Sequence, residues 1–206
     1  MLEVIKKTLD FYNKNAEKLA KEYKNSTPHK LQQFILDSIP DKNCKILEIG
    51  FGSGRELKFL TEKGFEVWGV DGSEEFIKLV KRELPEISER IFHAYLPELN
   101  LPEKFSDFFD VVICIAVLMH IPKELHLLTV KNMAKYLKTE GRVILSYPLN
   151  VRKEKERFFE NMNPNEVEMI FSEAGFKKIK ELITQDSQGR NFKWVTELYI
   201  KDFLTS

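Results

Sequence analysis

The sequence predicts one α/β domain, a doubly wound, mostly parallel sheet of seven strands with a C-terminal antiparallel hairpin. Five apolar, strand-like runs alternate with helix-like segments, which is the pattern of a parallel sheet covered by helices on both faces. Residues 176–184 and 192–204 form two further strand-like runs on either side of a polar turn, and this arrangement predicts the hairpin. A length of 206 residues suits a single domain of this kind.

Composition and charge disfavour several classes of partner, although a local charged patch is compatible with them. The chain has 32 basic and 32 acidic side chains, so it creates no long-range field that favours nucleic acid or an anionic membrane. No segment approaches the ~20 apolar residues of a membrane span. Cys44 and Cys114 stand in neither a Cys-x-x-Cys pair nor a metal-ligand spacing. We therefore expect a cytoplasmic protein with a small-molecule ligand, no metal and no nucleic-acid or membrane partner; the sequence does not indicate an oligomeric state.

The first part of the domain, residues 1–40, is predicted to be a helical cap. In residues 2–24 the apolar side chains recur in steps of three and four, which places them on one face of a helix. This face sealed against the core is one interpretation, and a role for Tyr12 and Tyr23 at a ligand is the other. Pro28 permits a second helix over residues 30–38.

The second part, residues 41–147, contains a glycine-rich loop directly after its first strand. The apolar run over residues 46–49 ends in three glycines at every second position: Gly50, Gly52 and Gly54. Glycine allows positive φ angles and a close approach of a ligand to the backbone, and the helix that follows offers free N–H groups. The loop is thus predicted to cradle a small, partly anionic ligand, with a plain turn as the alternative.

An acidic residue closes the second strand, which is predicted over residues 65–70 after a helix that stops at Gly64. Asp71 lies about 20 residues after the glycine loop, where open α/β folds bind the hydroxyl groups of a ribose. A carboxylate only accepts hydrogen bonds, which matches that role. A turn residue is the alternative. Ser73 is predicted to cap the next helix.

Three more strands complete the core. They are predicted over residues 91–94, 109–116 and 142–147. The fourth strand is almost continuous in apolar residues, as a strand covered on both faces must be. A helix is predicted from Pro122 to Lys138, with Gly141 as its C-terminal cap.

Two of these segments resemble motifs of the class I methyltransferases that use S-adenosylmethionine. The first is Glu48-x-Gly50-x-Gly52-x-Gly54, which is similar to their Glu/Asp-x-Gly-x-Gly-x-Gly motif and differs from the dinucleotide pattern Gly-x-Gly-x-x-Gly. The second is Phe-Asp-Val-Val-x-x-x-x-Val-Leu-x-His-Ile-Pro over residues 109–122, which resembles their fourth motif. The helix from Tyr12 to Tyr23 also resembles the N-terminal helix that covers the cofactor in many small-molecule methyltransferases. The resemblance extends over almost the whole chain.

The resemblance implies a Rossmann-like methyltransferase fold with S-adenosylmethionine as cofactor and S-adenosylhomocysteine as product. The cofactor contacts that it implies are Tyr23, Glu48, Gly50, Phe51, Gly52, Gly54, Asp71, Gly72, Ser73, Tyr95, Leu96 and Ala116. Glu48 would bind the amino group of the cofactor's amino-acid end. Pro97 stands where many family members carry an acid for the adenine amino group, so Tyr95 and Leu96 are left to flank the adenine ring by apolar contact.

His120 and Tyr12 are the predicted catalytic residues. A base is needed only if the acceptor arrives protonated, and histidine is the side chain whose usual pKa, about 6.5, suits proton removal near neutral pH. A packing role is the alternative for His120. Tyr12, Tyr23 and Tyr147 are also predicted to orient the acceptor or close over the methyl group.

The third part, residues 148–206, is predicted to lie on the substrate side. Residues 148–163 are either a surface helix or a substrate lid, and residues 163–166 mark the start of the next helix. The chain has no Asn/Asp-Pro-Pro-Tyr stretch, no Pro-Cys nucleophile in its fourth motif and no basic tail. We therefore expect O- or N-methylation of a small molecule, with a protein side chain as the next candidate. A non-catalytic cofactor-binding subunit and a nicotinamide-dependent oxidoreductase remain as alternatives.

Overall fold

A computed structural model describes residues 2–26, 28–149, 155–187 and 189–202. The helices are α1 (Leu2–Lys24), α2 (His29–Leu36), α3 (Arg55–Glu62), α4 (Glu74–Glu83), α5 (His126–Ala134) and α6 (Pro164–Glu173). The strands are β1 (Lys45–Ile49), β2 (Glu66–Asp71), β3 (Ile91–His93), β4 (Phe109–Ile115), β5 (Leu137–Pro148), β6 (Phe176–Gln185) and β7 (Lys193–Lys201). No helix among these residues has the length and apolar character needed to cross a membrane.

The seven strands form one sheet in the order β3-β2-β1-β4-β5-β7-β6. The first five strands pair in parallel, whereas β7 runs antiparallel to both β5 and β6. The predicted fold class is confirmed. The strand order reverses between β1 and β4, and in open α/β sheets a ligand binds outside the carboxyl ends of the strands at such a point.

Both faces of the sheet are covered. Val112 and Cys114 of β4 belong to a core that includes side chains of α5 and α6. Val111 and Ile113, the alternate residues of the same strand, face a second core built with α1, α2, α3 and α4. The strand is therefore apolar on both faces, which explains its nearly continuous hydrophobic sequence.

The predicted helix from Pro122 to Lys138 is wrong at both ends. It begins as a short 3-10 turn before α5, and the chain is already extended at the start of β5. Gly141 therefore lies inside a strand and caps no helix. At this point the pairing of β4 with β5 shifts in register, and a Cβ on Gly141 would lie 2.8 Å from the carbonyl oxygen of Lys138. The glycine is needed because the strand bulges there.

The predicted N-terminal caps of two helices, Ser73 and Asn163, are confirmed. The Ser73 hydroxyl accepts a hydrogen bond from the N–H of Phe76 at the start of α4, and it donates to the side chain of Asn13 on α1. The side chain of Asn163 accepts from the N–H of Asn165 at the start of α6. Ser73 thus also fastens the N-terminal helix to the sheet domain.

Candidate functional site

A cavity of about 620 Å³ opens along the carboxyl ends of the parallel strands. Its wall includes the glycine loop, the end of β2, the loops after β3 and β4, and parts of α1, α2 and the turn between β6 and β7. The cavity therefore lies at the predicted point of strand-order reversal. Both predicted catalytic residues line it, and so do all the predicted cofactor contacts except Gly54 and Ser73.

The three glycines of the loop have different roles. A Cβ on Gly50 would lie 2.3 Å from Val117, and one on Gly54 would lie 2.8 Å from Val80. A Cβ on Gly52 would meet nothing closer than the ring of Tyr23 at 3.9 Å. Gly50 and Gly54 are therefore needed for close packing inside the protein. Gly52 is the position where a side chain would instead fill the cavity.

Glu48 brings a carboxylate oxygen without a partner to the cavity wall. The residue is buried, and its Oε2 has no hydrogen-bond partner among the residues that the structure describes. Burial first, and then the nearby Glu56, raise the pKa of Glu48 well above its usual value. A buried carboxylate oxygen without a donor is costly. An ammonium group in the cavity would supply the missing donor and neutralise the charge.

Asp71 is held rigidly by two backbone groups. Its Oδ2 accepts from the N–H of Gly52 at 2.8 Å, and its Oδ1 accepts from the N–H of Ser73 at 2.8 Å. Burial raises its pKa to about 6, against the lowering effect of these N–H groups. Each carboxylate oxygen accepts more than one hydrogen bond. Two hydroxyl groups of a ligand can therefore still donate to Asp71.

Tyr12 and His120 meet at the cavity in a chain of hydrogen bonds. The Tyr12 hydroxyl lies 2.8 Å from Nε2 of His120, and Nδ1 of His120 lies 2.7 Å from the carbonyl oxygen of Phe158. A carbonyl only accepts, so Nδ1 carries a proton, and in the neutral ring Nε2 accepts from Tyr12. Arg157 donates to the Tyr12 oxygen at 2.8 Å. Burial raises the pKa of Tyr12, so its hydroxyl stays protonated near neutral pH.

Residues 155–163, which we call the strap, supply two of these groups. The strap contains neither helix nor strand. The N–H of Phe158 donates to the hydroxyl of Thr8 on α1, and the N–H of Glu160 donates to the carbonyl of Met119. The ring of Phe159 lies 4.7 Å from that of His120. The strap thus joins α1 to the turn after β4. The surface-helix alternative is wrong for these residues, and residues 150–154 of the same segment lie outside the described part of the chain.

An ion pair between Asp186 and Arg190 orders the turn between β6 and β7. Arg190 donates to both carboxylate oxygens of Asp186, and the indole N–H of Trp194 donates to Oδ1 at 2.9 Å. Burial alone would raise the pKa of Asp186, but the hydrogen bonds from Arg190 and Trp194 lower it to about 2. Asp186 is therefore ionised at neutral pH. Its hydrogen bond from Trp194 holds that indole ring at the cavity wall.

A family model described as a methyltransferase domain matches residues 12–181 of this chain. The chain belongs to the class I S-adenosylmethionine-dependent methyltransferases. The family and the cofactor predicted from the sequence are confirmed. The nicotinamide-dependent alternative is set aside on this assignment.

Curated relatives carry names of one reaction type. The chain is 31% identical over 102 residues to a ubiquinone biosynthesis O-methyltransferase of Idiomarina loihiensis, an alignment that covers 50% of this chain and 41% of that protein. This methyltransferase thus spans less than half the length of that relative.

Solved structures share the fold. A Burkholderia thailandensis 1,6-didemethyltoxoflavin-N1-methyltransferase, with 1,6-didemethyltoxoflavin and S-adenosylhomocysteine bound, aligns with a TM-score of 0.77 at 16% identity, over 97% of this chain and 89% of that chain. The [4+2]-cyclase SpnF aligns with a TM-score of 0.68 at 12% identity, over 84% of this chain and 80% of that chain. Because a cyclase shares the architecture, the fold by itself does not decide which reaction occurs.

Two of the cofactor contacts implied by the resemblance have other functions in this methyltransferase. Gly54 faces Val80 and begins α3, and Ser73 caps α4 with both of its hydrogen-bonding functions in use. Neither residue lines the cavity. Gly54 and Ser73 belong to the sequence motif because the backbone conformation requires them, not because they line the cavity.

Tyr147 is a correction to the predicted set of acceptor-orienting tyrosines. It is completely buried, and its hydroxyl donates to Glu197 at 2.9 Å. Its neighbours Ser146 and Pro148 line the cavity. Successive side chains of a strand point to opposite faces of the sheet, so Tyr147 faces away. Tyr12 and Tyr23 do line the cavity.

Sequence reasoning missed Arg157 and the ion pair of Asp186 with Arg190, which line the cavity, and the Phe158 carbonyl, which contacts His120. The sequence contains one indication of the strap's role: Phe158 and Phe159 lie inside a charged stretch, as expected for a segment that packs on an apolar surface. The ion pair falls in a stretch whose composition indicates only a polar turn.

The affinity for S-adenosylhomocysteine is expected to rise with pH between 5 and 7. The predicted role of Asp71 is to accept a hydrogen bond from a ribose hydroxyl, which requires its ionised form, and the pKa of Asp71 is raised to about 6. The ionised fraction sets the apparent affinity, so binding at pH 5 should be about tenfold weaker than at pH 7. Calorimetric titration across this range measures the effect. Asp71→Asn should bind more weakly with a shallower profile, whose remaining slope comes from Glu48, the pKa of which is also raised; an unchanged slope in this variant would mean that Asp71 does not contribute to the pH dependence.

Proposed function

We propose that this methyltransferase transfers a methyl group from S-adenosylmethionine to an oxygen or nitrogen atom of a small molecule. The observation that carries the proposal is that one cavity joins the cofactor-fitting wall at Glu48, Gly52 and Asp71 to the hydrogen-bonded pair of Tyr12 and His120. The printed names of an O-methyltransferase relative and an N1-methyltransferase neighbour support this reaction class.

The cofactor end of the cavity fits the cofactor's polar groups. Glu48 would bind the amino group through the oxygen that lacks a partner, and Asp71 would accept from the ribose hydroxyls. Tyr95 and Leu96 line the same cavity as an apolar side for the adenine ring. When bound, the cofactor supplies a methyl group on a sulfonium, and the sulfur leaves as the neutral thioether of S-adenosylhomocysteine.

The chain's own contribution to the chemistry is alignment and proton removal. Alignment alone can contribute about 7–11 kcal/mol to lowering a barrier. For an acceptor that arrives protonated, the Tyr12 oxygen takes the proton from the acceptor as the Tyr12 hydroxyl proton moves to Nε2 of His120. Arg157 stabilises negative charge on the Tyr12 oxygen, and the Phe158 carbonyl holds the ring through Nδ1–H. The pair thus acts as a relay that keeps the base away from bulk water.

The test is methyl transfer from a labelled cofactor into a small-molecule extract. The purified protein is mixed with S-adenosylmethionine labelled in its methyl group, and labelled products are separated and identified by mass spectrometry. We expect a small product heavier by one methylene unit and an equal amount of S-adenosylhomocysteine. Binding of the cofactor without any labelled product would favour the alternative of a non-catalytic subunit. Failure to bind the cofactor would mean that the site is wrongly placed.

The proposed compartment is the cytoplasm. Cys44 and Cys114 are both free and buried, and unpaired cysteines are typical of a reducing compartment. The net charge of zero supports a small-molecule partner over a nucleic acid.

A further inference from the structure

Among the residues that the structure describes, three buried carboxyl groups surround the glycine loop. Glu48 precedes the loop, Glu56 follows it, and Asp71 accepts a hydrogen bond from the N–H of Gly52. All three line the cavity and are at most 8% exposed. Burial removes these groups from water, so each ionised carboxylate needs a partner that offsets the lost hydration. Glu48 and Asp71 fit the cofactor, whereas Glu56 has no part in the proposed methyl transfer.

Arg55 neutralises Glu56 and leaves Glu48 uncompensated. The Arg55 Nε donates to Oε1 of Glu56 at 2.6 Å. Its Nη1 donates to the Tyr23 carbonyl and to the Ser26 hydroxyl, so the guanidinium is directed towards Glu56 and the end of α1. Glu48 forms no ion pair within the described part of the chain, and its Oε2 accepts no hydrogen bond there. An ionised Glu48 would therefore be a buried charge without a partner in the empty cavity.

The groups around Glu48 disfavour its ionised form. Burial raises its pKa well above the usual value, Glu56 on α3 and Asp71 on β2 raise it further, and Arg55 lowers it. Cys114 on β4 also interacts with Glu48 but stays neutral, since burial raises the pKa of that thiol to about 12. A buried acid that lacks a partner takes up a proton instead of carrying a charge. Glu48 is therefore protonated while no cation occupies the cavity.

We propose that Glu48 and Glu56 form an ammonium-selective subsite, in which Glu48 holds a proton while the cavity is empty and releases it to solvent when the amino group of the cofactor binds. This inference rests on the proposed cofactor site and adds a role for Glu56. The exchange balances, because one proton leaves the Glu48 carboxyl and one charged ammonium takes its place. The buried carboxylate is thus ionised only while its partner is present.

The exchange makes affinity depend on the amino group and on pH together. A ligand without an amino group leaves the proton on Glu48 and gains nothing from the subsite. A ligand with an ammonium group releases the proton at any pH below the raised pKa of Glu48, so its affinity rises with pH up to that value. Above it the empty site is already ionised and no proton is released. The negative charge of Glu56 sets where this change occurs, because it favours the protonated form of its neighbour.

The direct test counts the protons released on binding. S-adenosylhomocysteine is titrated into the protein at pH 6 and pH 7, where its amino group is charged, in pairs of buffers with different ionisation enthalpies. The control ligand is 5′-methylthioadenosine, which keeps the ribose that Asp71 is proposed to bind and lacks the amino-acid end. We expect S-adenosylhomocysteine to release about half a proton per site or more beyond the control.

Each outcome of this titration has a definite meaning. Equal proton release by the two ligands, with both bound, would overturn the exchange and leave the proposed cofactor site standing. Failure of both ligands to bind would overturn the cofactor site as well.

Glu48→Gln assigns the released proton to its group. Glutamine keeps the shape of the side chain and cannot ionise. The additional proton release by S-adenosylhomocysteine is expected to vanish, and the affinity of this ligand should fall towards that of 5′-methylthioadenosine. Circular dichroism with thermal unfolding shows whether the variant is folded. Additional proton release that persists in folded Glu48→Gln would assign the exchange to another group and contradict the proposal.

Two charge variants of α3 should move the exchange in opposite directions. Glu56→Gln is expected to lower the pH at which half of the additional proton is released by about one unit, and Arg55→Gln to raise it by a similar amount. Arg55→Lys keeps the charge and should restore the original value, which separates the charge of Arg55 from its contacts with α1. Glu62→Gln changes an exposed charge of the same helix outside the cavity lining and serves as the control. Shifts of the same sign in Glu56→Gln and Arg55→Gln, or an equal shift in Glu62→Gln, would reject the role of Glu56.

Discussion

Gly52→Val is expected to weaken binding of S-adenosylmethionine and S-adenosylhomocysteine at least 100-fold and leave the protein folded. The new Cβ meets no atom closer than 3.9 Å, so the protein itself accommodates it. The two methyl groups beyond it would occupy the space that the cofactor needs next to the loop backbone. A 100-fold loss corresponds to about 2.7 kcal/mol of binding free energy. Calorimetry measures the affinity, and circular dichroism with thermal unfolding measures the fold.

Backbone strain needs a control of its own. Gly52 has a φ of +51°, and any side chain at a positive φ costs about 1–2 kcal/mol of stability. Gly64 has a φ of +82° and no atom within 4 Å of a new Cβ, and it lies outside the cavity lining. Gly64→Val therefore introduces similar strain without touching the site, and it should bind the cofactor as well as the unchanged protein. Wild-type affinity in Gly52→Val would show that the loop does not contact the cofactor.

Tyr12→Phe and His120→Ala are expected to lower turnover about 100-fold or more for an acceptor that must lose a proton. Tyr12→Phe keeps the ring and removes only the hydroxyl that contacts Nε2 of His120. His120→Ala removes the proposed final proton acceptor. Steady-state kinetics and calorimetry should together show a lower kcat with the cofactor dissociation constant changed less than threefold.

The pH–rate profile distinguishes a relay from a packing role. If the pair removes the proton, the acid limb of the profile disappears in both variants, and the double variant is hardly slower than either single one, since the two residues act as a unit. Thr8→Val tests whether the position of the strap matters for turnover. It removes the hydroxyl that accepts a hydrogen bond from the N–H of Phe158 and leaves Tyr12 and His120 unchanged. A fall of only a few-fold with an intact acid limb would assign the whole rate enhancement to alignment.

The cofactor end of the site was readable from the sequence because its signals are local. A strand, a glycine loop and an acid at the next strand end occur in order along the chain, and the fold brings them to one edge. The sequence did not reveal which glycine faces the ligand. That depends on Val117 and Val80, which pack against Gly50 and Gly54 from elsewhere in the chain.

The acceptor end was not readable in the same way. Tyr12 and His120 are 108 residues apart, and Arg157 is 145 residues from Tyr12. Such contacts arise only from tertiary packing, and the spacing of apolar residues along the sequence does not predict them. The chemistry of histidine and the position of His120 after a strand are visible in the sequence, whereas its tautomer depends on the Phe158 carbonyl of the strap.

The residues that line the cavity come from separate stretches of the sequence, and this affects which parts of the protein can diverge between homologues. The residues that line the cavity at the strand ends all fall between positions 48 and 121, whereas the other described lining residues fall between positions 5 and 31 and between positions 146 and 196. The strap and the hairpin turn can therefore vary in length and composition without disturbing Glu48 or Asp71. The helix α1 is the exception, because Tyr12 and Tyr23 serve both walls. If the strap and the hairpin turn lie on the substrate side, as predicted from the sequence, exchanging them between homologues with α1 retained is expected to change the acceptor and to leave cofactor binding through Glu48 and Asp71 intact.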